Sequence, residues 1–181
     1  LSEDEFDGYC RMLSAVEVAD GATQEEIPNC VTFLQGMQVD HVEELGAWAR
    51  WSKPRKSGLR APIGAMAGGK PFGLDVLNDG PHGLIAGTSG SGKSELMSSW
   101  LLSMALNYHP YDVAYVIIDY KGGGLANTLE GLPHMVGKIT NLDGDVARSM
   151  VSLQSEITRR ERLFEQLGIN KHTDYMKGYY E

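Results

Sequence analysis

The chain has 181 residues, 42% of them apolar, with a formal net charge of -8 from 16 Lys+Arg against 24 Asp+Glu. That balance suits one α/β domain with an appendage; it excludes global disorder and leaves little room for two full domains. Two cysteines, Cys10 and Cys30, build no disulfide scaffold or zinc knuckle, and neither a signal peptide nor an apolar run of roughly 18 residues marks export or a membrane span.

Charge is concentrated at the start. Residues 1–50 carry 11 acidic and 2 basic side chains, whereas residues 51–181 carry 13 and 14. The acidic leader reads as a solvated face, with a partner-binding surface as the alternative. At the level of net charge no basic face for a nucleic-acid backbone is apparent, which weakens that reading while leaving a locally positive groove open.

The leader predicts a helix over about residues 3–15, with Phe6, Cys10 and Leu13 at helical spacing and a Ser2/Glu5 capping box. Gly21 and Pro28 break it, Val31-Thr32-Phe33-Leu34 predicts a short strand, and Val42 to Trp48 a brief helix. The turn-rich stretch from Ser52 to Gly58 then separates an acidic leader, residues 1–52, from a core, residues 53–181. Trp48 and Trp51 are expected to pack the leader on the core. Residues 60–77 predict a hairpin around Gly68-Gly69, and Pro62 and Pro71 place it at an edge. Gly83-Leu84-Ile85-Ala86 predicts a buried strand, followed by a glycine loop and a helix over residues 93–107 with Met97, Leu101, Met104 and Ala105 as its apolar stripe. Val113 to Ile118 is apolar throughout, which predicts a parallel strand covered on both faces. Strand, loop, helix and strand make one βαβ unit. After the turn Lys121-Gly122-Gly123-Gly124 come a short helix at 125–130 and a third strand at 135–139. A long helix over about 145–167 follows, with Val146, Met150, Leu153, Ile157, Phe164 and Leu167 in its stripe. Gly168 is its C-cap candidate, and Arg159, Arg160 and Arg162 crowd the end where positive charge suits the dipole.

The chemistry concentrates in Gly87-Thr88-Ser89-Gly90-Ser91-Gly92-Lys93-Ser94, which matches G-x-x-x-x-G-K-[ST] at every fixed position. Glycines allow backbone angles that turn successive N–H groups toward phosphate oxygens. The helix start adds free donors and the positive end of its dipole. Lys93 reaches the β- and γ-phosphates of ATP, and the Ser94 hydroxyl is a ligand for Mg²⁺. The bland alternative is a glycine-rich turn that matches by chance.

Asp119, at the end of an apolar strand, is open to a Mg²⁺-side role, or to a bland one as a strand-end cap or a partner for a nearby lysine or arginine. Lys121 is a site residue or a solvent-facing turn residue. Glu95 suits the first turn of its helix or a contact with a neighbouring subunit. His82 and His134, each after a proline, have no metal-spaced partner and read as structural or exposed, and His41, His109 and His172 give no reason for more. The arginines of the long helix read as a solvated face, with a contact in trans to nucleotide as the alternative.

Several further stretches narrow the reading: Arg60-Ala61-Pro62-Ile63-Gly64, Gly80-Pro81-His82-Gly83-Leu84, Asn107-Tyr108-His109-Pro110 and Ile118-Asp119-Tyr120-Lys121-Gly122-Gly123. Leu132-Pro133-His134, Thr140-Asn141-Leu142-Asp143-Gly144 and Arg159-Arg160-Glu161 continue the pattern. With these, the chain from about Leu34 to Tyr175 resembles the FtsK/SpoIIIE-type ATPase domains, and among them the EccC/EssC ATPases of bacterial type VII (ESX) secretion. The resemblance implies a RecA-like P-loop core with a parallel sheet, binding ATP and Mg²⁺ through residues 87–94. It also implies several such modules in one membrane-anchored protein, cytosolic placement, homo-hexameric assembly and export of small helical secreted proteins. Asp119 and Lys121 match the family's Asp-x-Lys element and not its Walker B carboxylates, which follow on a later strand. No such strand is found before Glu181, so the core is expected to be C-terminally truncated, with hydrolysis belonging to the longer protein and this segment supplying a nucleotide-binding half. The competing functions are an FtsK-like DNA translocase module, disfavoured by charge, and a non-catalytic docking module for secreted substrate or neighbouring subunits.

Overall fold

A computed structural model describes residues 26–53, 58–119, 124–140, 146–172 and 174–175. The predicted leader helix, Lys121 and residues 141–145 lie outside these residues.

The first element is a helix, α1 (Phe33–Gly36), where the apolar run predicts a strand. Thr32 and Gln35 explain the difference. The Gln35 amide donates to Thr32 Oγ1 at 3.2 Å and the Thr32 amide to Gln35 Oε1 at 2.9 Å, a capping box that satisfies both donors locally. The helix predicted over 42–48 is two pieces, a 3₁₀ turn (Val42–Leu45) and α2 (Ala47–Trp51). Gly46 divides them in the left-handed region, φ 48°.

The predicted hairpin is present as β1 (Arg60–Ala65) antiparallel to β2 (Pro71–Asp75), with an irregular register between Pro62 and Gly64. Its far end is tied by buried Asp75, whose Oδ1 accepts from the amides of Leu59 at 2.9 Å and Leu77 at 3.1 Å. Oδ2 accepts from Asn78 Nδ2 at 2.8 Å. Burial pushes this carboxyl up, but the hydrogen bonds outweigh it and hold the group below its ordinary value.

Helix α3 (Lys93–Asn107) has the predicted limits and packs against β1 and α2. Met104 and Ala105 from its stripe are buried with Ala61, Tyr108, Tyr115, Ile117 and Leu129 in the core. Three polar contacts fasten this end. Trp51 Nε1 donates to Ala105 O at 2.9 Å, Tyr108 Oη to Arg60 O at 3.0 Å and Tyr115 Oη to Leu101 O at 2.8 Å. Trp48 does not share Trp51's packing role: it is 77% exposed.

The parallel sheet is formed by β3 (Tyr115–Asp119) and β4 (Met135–Thr140), joined through α4 (Gly124–Thr128). Two expectations are corrected here. Residues 83–86 form no strand, and Leu84 is 93% exposed. Their backbone has no ladder partner among the described residues, and an apolar run without neighbours has nothing to fix it as a strand. The parallel pair is therefore β3 with β4, not residues 83–86 with β3. Nor is β3 covered on both faces: Tyr115 and Ile117 are buried while Val116 and Ile118 are about two-fifths exposed, 40% and 38%.

Helix α5 (Val146–Leu167) ends at Gly168, φ 66°. The Ile169 amide donates to Phe164 O at 3.0 Å and the Gly168 amide to Glu165 O at 3.1 Å, the paired bonds of a Schellman cap. Of its predicted stripe, Leu153 and Phe164 are half-buried, whereas Met150, Ile157 and Leu167 are exposed.

Candidate nucleotide-binding site

The loop at residues 87–94 runs into the first turn of α3. Gly90 (φ 78°) and Gly92 (φ 84°) hold left-handed backbone that an L side chain adopts only at a cost of about 1–2 kcal/mol. Gly92 is the N-cap, and it offers no side chain to the helix start. The first-turn amides of α3 are thus left to whatever the loop encloses, with the positive end of the dipole behind them. At Gly87 a Cβ would lie 2.5 Å from Ser91 Oγ, so any larger residue there requires the Ser91 hydroxyl to rotate away.

Lys93 leans back over its own loop. Its Nζ donates to Thr88 O at 2.5 Å and to Ser91 Oγ at 3.4 Å. A cation is therefore held where the exposed loop backbone turns. Thr88, Ser89, Ser91 and Ser94 are all exposed, their hydroxyls in reach of a ligand from solvent. The structure thus brings residues 87–94 together as a continuous turn into α3, with Lys93 folded back over it.

Asp119 stands elsewhere in the hydrogen-bonding scheme. Half-buried at the end of β3, its Oδ2 accepts the Leu125 amide at 3.2 Å, holding the first turn of α4. That is the capping role its position at a strand end allows. Buried Thr140 pairs with it across the parallel ladder.

The histidines divide by environment. His41, His82 and His172 are exposed. His134 is 1% exposed, its Nε2 donating to Tyr108 O at 2.8 Å and its ring stacked on Tyr115 and set edgewise to Trp51. Burial pushes its pKa down, and the nearby His109 adds to that, against the bond to Tyr108. It is a core residue. Among the described residues no group of three His, Cys, Asp or Glu side chains gathers as a metal site. Two of the α5 arginines are turned onto their own helix: Arg159 Nε donates to Glu156 Oε2 at 2.7 Å and Arg160 Nε to Oε1 at 2.8 Å. Their hydrogen bonds draw the Glu156 carboxyl down to about 2.

One feature beside the loop escapes sequence reasoning. A cavity of about 190 Å³ lies between α1, β1 and α3, with Glu95 and Leu96 at the end nearest the loop. A strand at 31–34 would not put Phe33 there; only the Thr32/Gln35 capping box signals the helix that does.

The FtsK/SpoIIIE family model matches residues 47–181. The chain is 41% identical over 179 residues to the ESX secretion system protein EccC of Geobacillus thermodenitrificans, covering 96% of this chain and 12% of that protein. It is 43% identical over 155 residues to the type VII secretion system protein EssC of Staphylococcus aureus, covering 83% and 10%. The chain thus spans about a tenth of the length of these curated relatives. Among solved structures it is similar to the cytoplasmic domain of the Thermomonospora curvata type VII secretion ATPase EccC. The TM-score there is 0.72 at 34% identity, over 83% of this chain and 19% of that one. ATPases 2 and 3 of the same EccC, in complex with a signal sequence peptide, match with TM-score 0.62 at 27% identity, over 72% and 25%. The chain belongs to the FtsK/SpoIIIE family, and its matches fall among the EccC/EssC proteins of type VII secretion.

Proposed function

We propose that this chain is an ATP-binding module of the motor that drives protein export through a type VII secretion system. The observation that carries the reading is the cradle at residues 87–94: left-handed Gly90 and Gly92, an uncapped 15-residue helix behind them, and Lys93 held over the loop. Its donor set fits a polyphosphate. Backbone amides and a cation converge, and no carboxylate of the loop itself opposes an anion.

In this reading Gly87, Thr88, Ser89, Gly90, Ser91 and Gly92 wrap the phosphates with backbone amides. Lys93 exchanges its bond to Thr88 O for the β- and γ-phosphate oxygens. Ser94 turns its hydroxyl to Mg²⁺, and the ion, when bound, neutralises charge between the phosphates. Asp119 and Lys121 match the family's Asp-x-Lys element. Asp119 positions α4, and the principal hydrolytic carboxylate lies elsewhere in the full protein. The core is RecA-like and begins near residue 53, after the acidic leader. The modules assemble as a homo-hexamer on the cytosolic side of a membrane-anchored parent, and the cargo is small helical secreted protein. Supporting this over a DNA translocase is the near-balance of 13 acidic and 14 basic side chains in residues 51–181.

Calorimetry of Mg-ATP binding to the wild type and Lys93→Ala tests the reading. Losing a charge-assisted phosphate contact of about 1.5–3 kcal/mol weakens affinity roughly tenfold to hundredfold. Equal affinity in the two proteins overturns it.

A further inference from the structure

The cavity of about 190 Å³ between α1, β1 and α3 is a groove running along one face of α3. Leu96, Ser99 and Ser103 form its floor at i, i+3 and i+7, a run of about 10.5 Å at roughly 1.5 Å per residue. Phe33 and Met37 wall it on the α1 side, and Pro62 and Ile63 on the β1 side. Its mouth is unfilled. A Cβ added to Gly36 or Gly64, both in the lining, would meet nothing within 4 Å, and Leu96 is 40% exposed. At its base α1 is tied to α3, where the buried Ser103 hydroxyl donates to Met37 Sδ at 3.5 Å. An apolar trough two helical turns long is the receptor half of helix-in-groove docking, which an occupant enters with anchors at i, i+4 and i+7.

The chain itself carries such an occupant. Its sequence predicts a helix over residues 3–15, with Phe6, Cys10 and Leu13 at i, i+4 and i+7, again a run of about 10.5 Å. On that helix Asp4 and Arg11 fall on the face opposite the three anchors, so neither charge has to enter the groove. The leader also arrives at the right place. It joins the described residues at Glu26, and Val31, a short step further on, lines the groove. The connection over residues 16–30 extends to roughly 50 Å at most, and Gly21 and Pro28 let it turn back. Tethering so close gives the leader a high effective concentration, and modest apolar burial is then enough to seat it. We infer that residues 3–15 of this chain dock as a helix in the groove between α1, β1 and α3, with Phe6, Cys10 and Leu13 turned toward α3. Seated there, the leader lies along the helix whose first turn carries Lys93.

Cysteine cross-linking of the full chain tests this. Cys30→Ser leaves Cys10 as the single thiol. Ser99→Cys then adds one at an exposed position midway along the groove, and Ser155→Cys, also exposed, adds one on α5 as the control. Under dilute oxidation, peptide mass mapping should find an intrachain disulfide from Cys10 at least about tenfold more often in the Ser99→Cys protein than in the control. Adding Phe6→Asp and Leu13→Asp should bring the yield down to the control level, whereas Asp4→Asn, on the opposite face, should leave it within about twofold. Hydrogen exchange reads the same contact without new thiols: in a Phe6→Asp/Leu13→Asp protein the α1 amides should exchange at least about threefold faster than in the wild type. Circular dichroism confirms that each variant is folded. A Ser99→Cys yield no higher than the control's, a yield that survives Phe6→Asp/Leu13→Asp, or α1 exchange unchanged by that pair would overturn the docking and mark the groove as a gap. A disulfide between chains that grows with protein concentration would overturn it in favour of a second copy's leader.

Discussion

At the C-terminal end of α3, Ser103, Met104 and Ala105 are buried, and Trp51, Tyr108 and Tyr115 fasten the surrounding backbone by hydrogen bonds. At its N-terminal end every residue from 80 to 92 is exposed, and Lys93 contacts only its own loop among the bonds described for it. One helix thus joins a packed anchor to an open cradle. The anchor lets the cradle stay bare. Free amides at a helix start serve a ligand only while the helix persists without them, and packing at the far end supplies that persistence.

The sharpest way to break the comparison is to empty the anchor. Met104→Ala removes a 5%-exposed side chain from the core and should destabilise the protein by about 2–5 kcal/mol. Loop chemistry is untouched, so saturating tripolyphosphate should restore part of the lost stability through linkage. Urea unfolding with and without tripolyphosphate reads both effects, and an unchanged midpoint for the variant would contradict the anchor. Trp51→Phe is a finer cut, keeping the aromatic contact and deleting the donor to Ala105 O. Leaving that carbonyl without its partner should cost about 1–3 kcal/mol, measurable in the same titration. No loss would mean that water replaces the indole.

The two ends also differ in how much of them the sequence discloses. α3 has the limits its stripe predicts, and Gly168 ends α5 as expected, because caps and helical periodicity are local signals. The P-loop pattern is local too, and residues 89–92 turn directly into the start of α3. What fails is what depends on distant partners. Residues 83–86 have the composition of a strand, but strand identity lies in a ladder, and no described segment pairs with them. The alternating exposure of β3 fails for the same reason: apolar residues on both faces state what a strand can bury, not what covers it. Residues 31–34 are a different failure, since the Thr32/Gln35 capping box was available as a local signal and β-branched Val31 and Thr32 obscured it. Asp119 and His134 became assignable only with coordinates, because a cap on α4 and a ring between Tyr115 and Trp51 bring together residues far apart in the chain.

At the cradle, Gly92→Ala isolates backbone strain. Nothing lies within 4 Å of the added Cβ, so steric collision is absent and only the left-handed φ of 84° opposes it. Stability should fall by about 1–2 kcal/mol, with weaker tripolyphosphate binding as the loop relaxes away from its turn. If stability is unchanged but binding falls, the α3 start frays independently of the anchor. That outcome would sharpen the contrast between the two ends.

The smallest expected effect is a pH dependence confined to the anchor. His134 donates Nε2–H to Tyr108 O, because a carbonyl can only accept, and its buried Nδ1 has no hydrogen-bond partner among the described residues. Protonation would place a second N–H there with nothing to receive it, in a pocket walled by Trp51 and Tyr115 with His109 nearby. Burial accordingly depresses the folded-state pKa below the ordinary value of about 6.5. Between the folded and unfolded values the unfolded chain binds more protons, so stability must rise with pH across that window. The contribution is complete above about pH 6.5 and is lost as pH falls through that value toward the folded one. Melting temperatures taken from about pH 7.5 down to about pH 5.5 should therefore decline more steeply for wild type than for His134→Phe, which cannot titrate there. The cradle at residues 87–94 contains no histidine, so tripolyphosphate affinity corrected for the fraction folded should not follow the same curve. Parallel melting curves for the two proteins would show that the depressed histidine does not report on the anchor.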